Sequence, residues 1–221
     1  MAGKYSPIDP VCLGVNRPAP NVPESVVGSV VVGNNADLMR SVADLWIRPD
    51  DVVADVTYGR GVFWRNIPGM PTFRFDANFG DDCRDLPLGD ESVDVVVFDP
   101  PYRPTHGSTG MEKTGVGKAY RVGTESLNTI NDVLDLYRDG LIEAERILRP
   151  GGRVLVKCQD ISYGNRLHMV SMDVSRLMER AGLPIADHFV LANSGQISST
   201  KWQKQERARR RHSVLWVGVK G

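Results

Sequence analysis

Cysteine is scarce in this 221-residue chain. Cys12, Cys83 and Cys158 are the three present. An odd number without C-x-x-C spacing excludes a disulfide scaffold and a zinc ribbon. The four histidines, His106, His168, His188 and His212, are scattered and form no metal-ligand pair, so no metal is expected. No run approaches the roughly 18 apolar residues of a membrane span. Met1–Pro10 carries Lys4 but no apolar core of a secretory leader. These absences predict a reduced, cytoplasmic protein without metal or membrane contact. An excess of one charge is missing too, with 27 Lys and Arg against 27 Asp and Glu. That balance averages two unlike halves. Residues 1–110 hold 9 basic and 15 acidic side chains, and residues 111–221 hold 18 and 12. A neutral chain divided this way can still present a local basic face.

Hydrophobic residues make up 41% and charged residues 24%, as in a globular protein with a proper core. Residues 1–27 carry Pro7, Pro10, Pro18, Pro20 and Pro23 and read as an extended arm. Residues 28–221 read as one domain. Apolar spacing predicts a helix over Asn35–Trp46, closed by Arg48-Pro49. Short apolar runs predict strands at Val52–Val56, Pro71–Phe75, Val93–Phe98, Arg153–Cys158, Ile185–Ala192 and Ser213–Val219. Helical spacing recurs over Leu127–Leu148, with Ser126 as N-cap, and over Arg166–Ala181. Residues 103–125 are rich in Gly and Thr and read as a mobile loop. The alternation predicts a mainly parallel α/β sheet covered on both faces, ending in an antiparallel pair.

Two places carry chemistry. The first is Asp55-Val56-Thr57-Tyr58-Gly59-Arg60-Gly61, a carboxylate at a strand end before a G-x-G turn. Ligands of open α/β sheets bind at such ends. A carboxylate there repels pyrophosphate and welcomes an ammonium. Trp64 stands where a dinucleotide fingerprint has its third glycine. Together these favour an amino-acid-bearing cofactor over NAD. Asp76, about 20 residues on, suits a carboxylate facing ribose hydroxyls. Asp81, Asp82 and Asp85 surround the next turn. One of them can accept from an adenine amine while the backbone N–H of Cys83 reaches a ring nitrogen.

The second is Asp99-Pro100-Pro101-Tyr102, directly after a β-branched run. An aromatic amine is a poor nucleophile because its lone pair is delocalised. The Asp99 carboxylate and the Pro100 carbonyl can accept both amino hydrogens and stabilise the charge that grows on attack. Pro100 and Pro101 add no competing N–H. Tyr102 offers a flat face to a base that is flipped out or unpaired.

These residues make residues 30–221 resemble the amino-group DNA methyltransferases, the N6-adenine and N4-cytosine enzymes that use S-adenosylmethionine. Their D-x-x-x-G-x-G motif matches Asp55, Gly59 and Gly61, and their D/N/S-P-P-Y/F/W tetrad matches Asp99 to Tyr102. Asp82-Cys83-Arg84-Asp85-Leu86-Pro87 looks like the family's adenine-contacting stretch, which points to Asp82. The helix from Asn35 looks like the motif that closes over the methionine end, placing Asn35 at the cofactor. The resemblance implies a Rossmann-like, seven-stranded sheet of order 3-2-1-4-5-7-6 with an antiparallel last strand. It implies S-adenosyl-L-methionine as cofactor and DNA as substrate. Asp at the first tetrad position favours adenine N6. N4-cytosine, an RNA target, or a silent nucleic-acid-binding protein of the same fold are the alternatives. One departure is Val56-Thr57 where Pro-Phe is common, so the cofactor turn, Thr57 included, implies a differently shaped methyl-donor pocket. The other is the lack of a separate target-recognition domain. Sequence reading then falls to 103–125, to 193–212, or to a second subunit, a homodimer or an accessory chain.

The stretch 201–212 holds 6 basic residues against 1 acidic. Lys201, Lys204, Arg207, Arg209, Arg210 and Arg211 suit a phosphate backbone, and Trp202 suits either a stacked base or a loop anchor.

Overall fold

The computed structural model describes residues 26–67, 69, 71–104, 127–193 and 208–221. Strand β1 (Val30–Gly33) leads into helix α1 (Asn35–Trp46), then β2 (Val53–Asp55), β3 (Phe73–Arg74) and β4 (Val93–Phe98). Helix α2 (Ile130–Ile147) runs into β5 (Leu148–Cys158), followed by β6 (Ile161–Tyr163), β7 (Arg166–His168) and α3 (Val170–Arg180). Strands β8 (Ile185–Asn193) and β9 (His212–Val219) finish the chain. Single 3-10 turns cover Val62–Asn66 and Ala77–Phe79.

Seven strands form one sheet in the order β1-β8-β9-β5-β4-β2-β3. Every pair is parallel except the two made by β9, which runs antiparallel to β5 and β8. Side-chain alternation divides the core in two. Val53, Val95, Val97 and Leu155 pack with α1, Phe63 and Trp64. Ala54, Val96, Phe98, Val154 and Val156 pack with α2 and α3. Burial on both faces explains why β4 is almost wholly apolar. Helices start where side chains satisfy their orphan N–H groups. Asn34 caps α1 and Thr129 caps α2, each in a reciprocal box with the Asp three residues on.

The expected Asn35–Trp46 helix and six predicted strands are present, with shorter ends on β2 and β3. The structure departs from these expectations, or adds to them, in four places. The expected cap Ser126 lies outside the described residues, and α2 is capped by Thr129, which forms a reciprocal box with Asp132. Arg166–His168 is not helix but half of a β6–β7 hairpin. Its tip, Gly164-Asn165, takes φ of 55 and 58°, the left-handed pair such a turn needs. Val30–Gly33 is a strand, added beside β8 with Val30 and Val32 turned to solvent. Finally, the sheet reaches seven strands through β1 at one edge, while β3 is the other edge. In the family order a further strand lies beyond β3. Here residues 77–92 are rich in Gly, Asp and Asn, and a lone Asp82–Asp85 bridge is the extended pairing among them. The arm over 1–27 and the loop over 103–125 fall almost entirely outside the described residues.

Candidate active site

The carboxyl ends of β2, β3, β4 and β5 lie along one edge of the sheet and carry the predicted residues. Asp55 ends β2 and is 3% exposed. Its Oδ1 accepts from the Thr57 N–H at 3.0 Å and its Oδ2 from the Trp64 indole at 2.7 Å. Burial pushes its carboxyl up to about 7, against the pull of those two donors, and the Asp99 and Asp76 charges push the same way. Gly59 and Gly61 hold φ of 55 and 62°. A Cβ on Gly61 would meet the Tyr58 hydroxyl at 2.5 Å. The turn therefore needs glycine there for its backbone angle, and a Cβ would also have to displace the Tyr58 ring.

Asp76 is buried at the end of the next strand. Its Oδ2 accepts from Gly59 N at 2.6 Å, and its Oδ1 accepts from the backbone and side-chain nitrogens of Asn78. Asp76 thus ties the glycine turn to β3. Asp81 accepts from the Asp76 N–H at 2.9 Å, a turn-closing bond. Asp82 holds Arg84 at 2.7 and 2.9 Å, and that guanidinium keeps its carboxyl below the usual range. Its oxygens are thus engaged by Arg84. Cys83 is buried, and burial pushes its thiol up to about 12, so it is inert as a nucleophile. The segment is braced from behind by Glu143, which accepts from Leu86 N at 2.8 Å and pairs with Arg146.

The tetrad leaves β4 directly. Asp99 is half-buried, Pro100 buried, and Pro101 and Tyr102 half-buried. The Asp99 N–H donates to Thr57 Oγ1 at 2.7 Å, so the residue that departs from the family pattern links glycine turn and tetrad. Lys157, which sequence reasoning missed, comes from β5 beside Asp99. Its Nζ lies 3.2 Å from Asp99 Oδ1 and 3.5 Å from Oδ2. It also stands 5.6 Å from the Tyr102 ring centroid and 5.9 Å from that of Phe63. Burial is the largest single influence and opposes its charge, but the Asp99 carboxylate together with Tyr102 and Cys158 raises the lysine above its usual value. The signal was legible: a lysine inside the apolar run Val154–Cys158, one register step past the Phe98–Val156 pair. Tyr137 supports this strand end, donating to the Lys157 carbonyl at 2.8 Å.

Asn35 is the first residue of α1, half-buried, with Asn34 as the cap. Lys201, Trp202, Lys204 and Arg207 lie outside the described residues. Arg209 and Arg211 are exposed and Arg210 half-buried, just before β9. Since Cys158 pairs with Val214, and Gln159 donates to the His212 carbonyl at 2.7 Å, β9 starts on the same edge where β5 ends. Among the described residues no cluster of His, Cys, Asp and Glu could hold a metal, and no helix is long and apolar enough to cross a membrane.

No protein-family model and no curated protein matches the chain. Solved structures do. The [4+2]-cyclase SpnF superposes with a TM-score of 0.51 at 12% identity, over 84% of this chain and 80% of that one. This likeness is one of fold. The chain has a Rossmann-like fold: a seven-stranded, mostly parallel sheet with helices on both faces and an antiparallel last strand. The PvuII N4-cytosine-specific DNA methyltransferase gives 0.48 at 17% identity, over 64% of this chain and 48% of that one. A Thermus thermophilus protein provisionally assigned as a DNA modification methylase, complexed with S-adenosyl-L-methionine, gives 0.43 at 18%, over 63% and 53%. The chain spans about half the length of these two.

Proposed function

We propose that this chain is an S-adenosylmethionine-dependent methyltransferase that modifies the exocyclic amine of a nucleic-acid base, adenine N6 in DNA. The observation that carries the reading is the bond from the Asp99 N–H to Thr57 Oγ1 at 2.7 Å. It joins a carboxylate-bearing Asp-Pro-Pro-Tyr tetrad to a carboxylate-bearing glycine turn at one sheet edge.

The residues fit the cofactor. A buried carboxyl at about 7 beside two left-handed glycines suits an ammonium-bearing ligand, and Asp76 suits ribose hydroxyls. Asp55, Thr57, Gly59, Gly61, Asp76, Cys83 and Asn35 would hold it. Asp82 would join only by sharing its oxygens with Arg84. When bound, S-adenosylmethionine supplies an electrophilic methyl group. Asp99 and the Pro100 carbonyl accept the hydrogens of the incoming amine, localise its lone pair and stabilise its growing charge. Tyr102 gives the base a face to stack on. Arg209, Arg210 and Arg211, entering β9 on this edge, suit phosphate contact.

Methyl transfer from labelled cofactor to DNA and to RNA tests the proposal. Transfer to DNA with the label in N6-methyladenine is expected. Label in N4-methylcytosine would correct the base, and transfer to RNA alone would correct the substrate. Asp99→Ala is expected to abolish transfer while leaving cofactor affinity largely intact. Unchanged turnover in that variant would sink the mechanism.

A further inference from the structure

Lys157 is the buried cation of this site, its side chain 6% exposed. An ammonium carries three N–H donors. Among the described residues its hydrogen bonds run to Asp99 alone. The Phe63 and Tyr102 rings attract its charge but give no in-line acceptor. A buried charged donor with spare capacity is costly to keep unless something accepts from it. Side-chain alternation places Asp99 and Lys157 on the same face as Val97 and Leu155, toward Phe63. The site therefore presents a hydrogen-bond acceptor and a hydrogen-bond donor side by side, with Tyr102 beside both.

The exocyclic amine of adenine or cytosine sits on a carbon that is also bonded to a ring nitrogen with an in-plane lone pair. Such an edge offers one donor and one acceptor side by side, the complement of Asp99 and Lys157. We propose that Lys157 donates to the ring nitrogen beside the target amine, N1 of adenine, while Asp99 accepts the amine hydrogen. The pair then reads the edge as a unit, as bidentate side chains read bases in duplex grooves. This rests on the base-amine reading above. A base with a carbonyl in place of the amine would turn an oxygen toward the Asp99 carboxylate and be repelled. Lys157 would thus be a substrate-binding and specificity-determining residue, where the tetrad alone would leave base choice to Asp99 and Tyr102.

The test pairs a substrate change with a protein change. Oligonucleotides in a methylated context carry adenine, 1-deazaadenine or 7-deazaadenine at the target. Wild type should lose about tenfold or more in kcat/KM with 1-deazaadenine, the scale of a charge-assisted hydrogen bond, and little with 7-deazaadenine. Lys157→Met should be slower on adenine, yet show less than about a twofold difference between adenine and 1-deazaadenine. Any intrinsic change in amine reactivity cancels between the two proteins. Lys157→Gln, which keeps a donor without the charge, should show an intermediate penalty, and it replaces the Met variant if that one does not fold. Equal wild-type turnover of adenine and 1-deazaadenine would overturn the assignment. So would a 1-deazaadenine penalty that survives undiminished in the variants. A wild-type protein that methylates no nucleic acid removes the function itself, a separate and distinguishable failure.

Discussion

Trp64 donates its indole N–H to the carboxylate of Asp55 across 2.7 Å, and both residues are buried. The residue that breaks the dinucleotide fingerprint is therefore a structural partner of the residue that starts the turn. Trp64→Phe keeps most of the packing and removes that donor. Above pH 7 the Asp55 charge is then less well held, and the expected cost is about 1.5–3 kcal/mol. Below pH 7 the carboxyl is protonated and the cost shrinks. Urea denaturation of wild type and variant at about pH 5.5 and about pH 8.5 checks both the size and the sign.

Cofactor affinity should depend on the same proton. A carboxyl pushed up to about 7 is half protonated near neutrality, and an ammonium ligand binds the charged form. Affinity should therefore fall as pH drops through 7, by roughly tenfold between about pH 8 and about pH 6. Calorimetric titration with S-adenosylmethionine measures it, and Asp55→Asn should flatten the dependence. Without ligand the sign reverses for stability. The folded chain holds this proton where the unfolded chain, at the ordinary 3.8, has released it. The Asp55 contribution to stability thus falls as pH rises from about 4 to about 7.

The features legible in the sequence are local and periodic. Val93–Phe98 and Asn35–Trp46 carry their pattern in consecutive residues, and the structure has both with those bounds. The tetrad and the glycine turn were visible because their residue types are unusual in sequence. Lys157 was passed over because its partner is 58 residues away, and only the β4–β5 register brings the two together. Arg166–His168, the second strand of the β6–β7 hairpin, reads as helix because Leu167 and Val170 fit helical spacing, while Gly164-Asn165 just before it holds the contrary turn signal. β1 was missed because a four-residue edge strand with two exposed valines has little burial pattern to show.

Helix α2 reaches the site through Gly140. A Cβ there would lie 2.5 Å from Phe98 Cζ, and Phe98 directly precedes Asp99. Ala in place of Gly ordinarily favours a helix by about 1 kcal/mol. Overpacking a tight core costs about 1–3 kcal/mol. The Phe98 ring is held between Gly140 and Tyr137, 5.6 Å away centroid to centroid, so the steric cost should win. Gly140→Ala is expected to lower the thermal midpoint and to reduce methyl transfer by moving Asp99. Adding Phe98→Leu should recover part of the stability, which thermal melts of the single and double variants would measure.

Thr57 makes the sharpest test of how turn and tetrad are joined. Its hydroxyl is the acceptor for the Asp99 N–H, and its own N–H is held by Asp55. A Phe at this place, as in the common family form, has no acceptor to offer. Thr57→Val is nearly the same shape but leaves the Asp99 N–H without a partner, a loss of about 1–3 kcal/mol. The Asp55–Thr57 backbone bond and both glycines remain. Cofactor affinity should therefore stay within about threefold, while kcat falls roughly 10- to 100-fold as Asp99 loses its anchor. Thr57→Ser keeps the oxygen and should stay near wild type. Equal losses in cofactor affinity and in kcat for the Val variant would instead mean that Thr57 serves the turn alone, and that the tetrad is positioned by Lys157 and the core beneath Phe98.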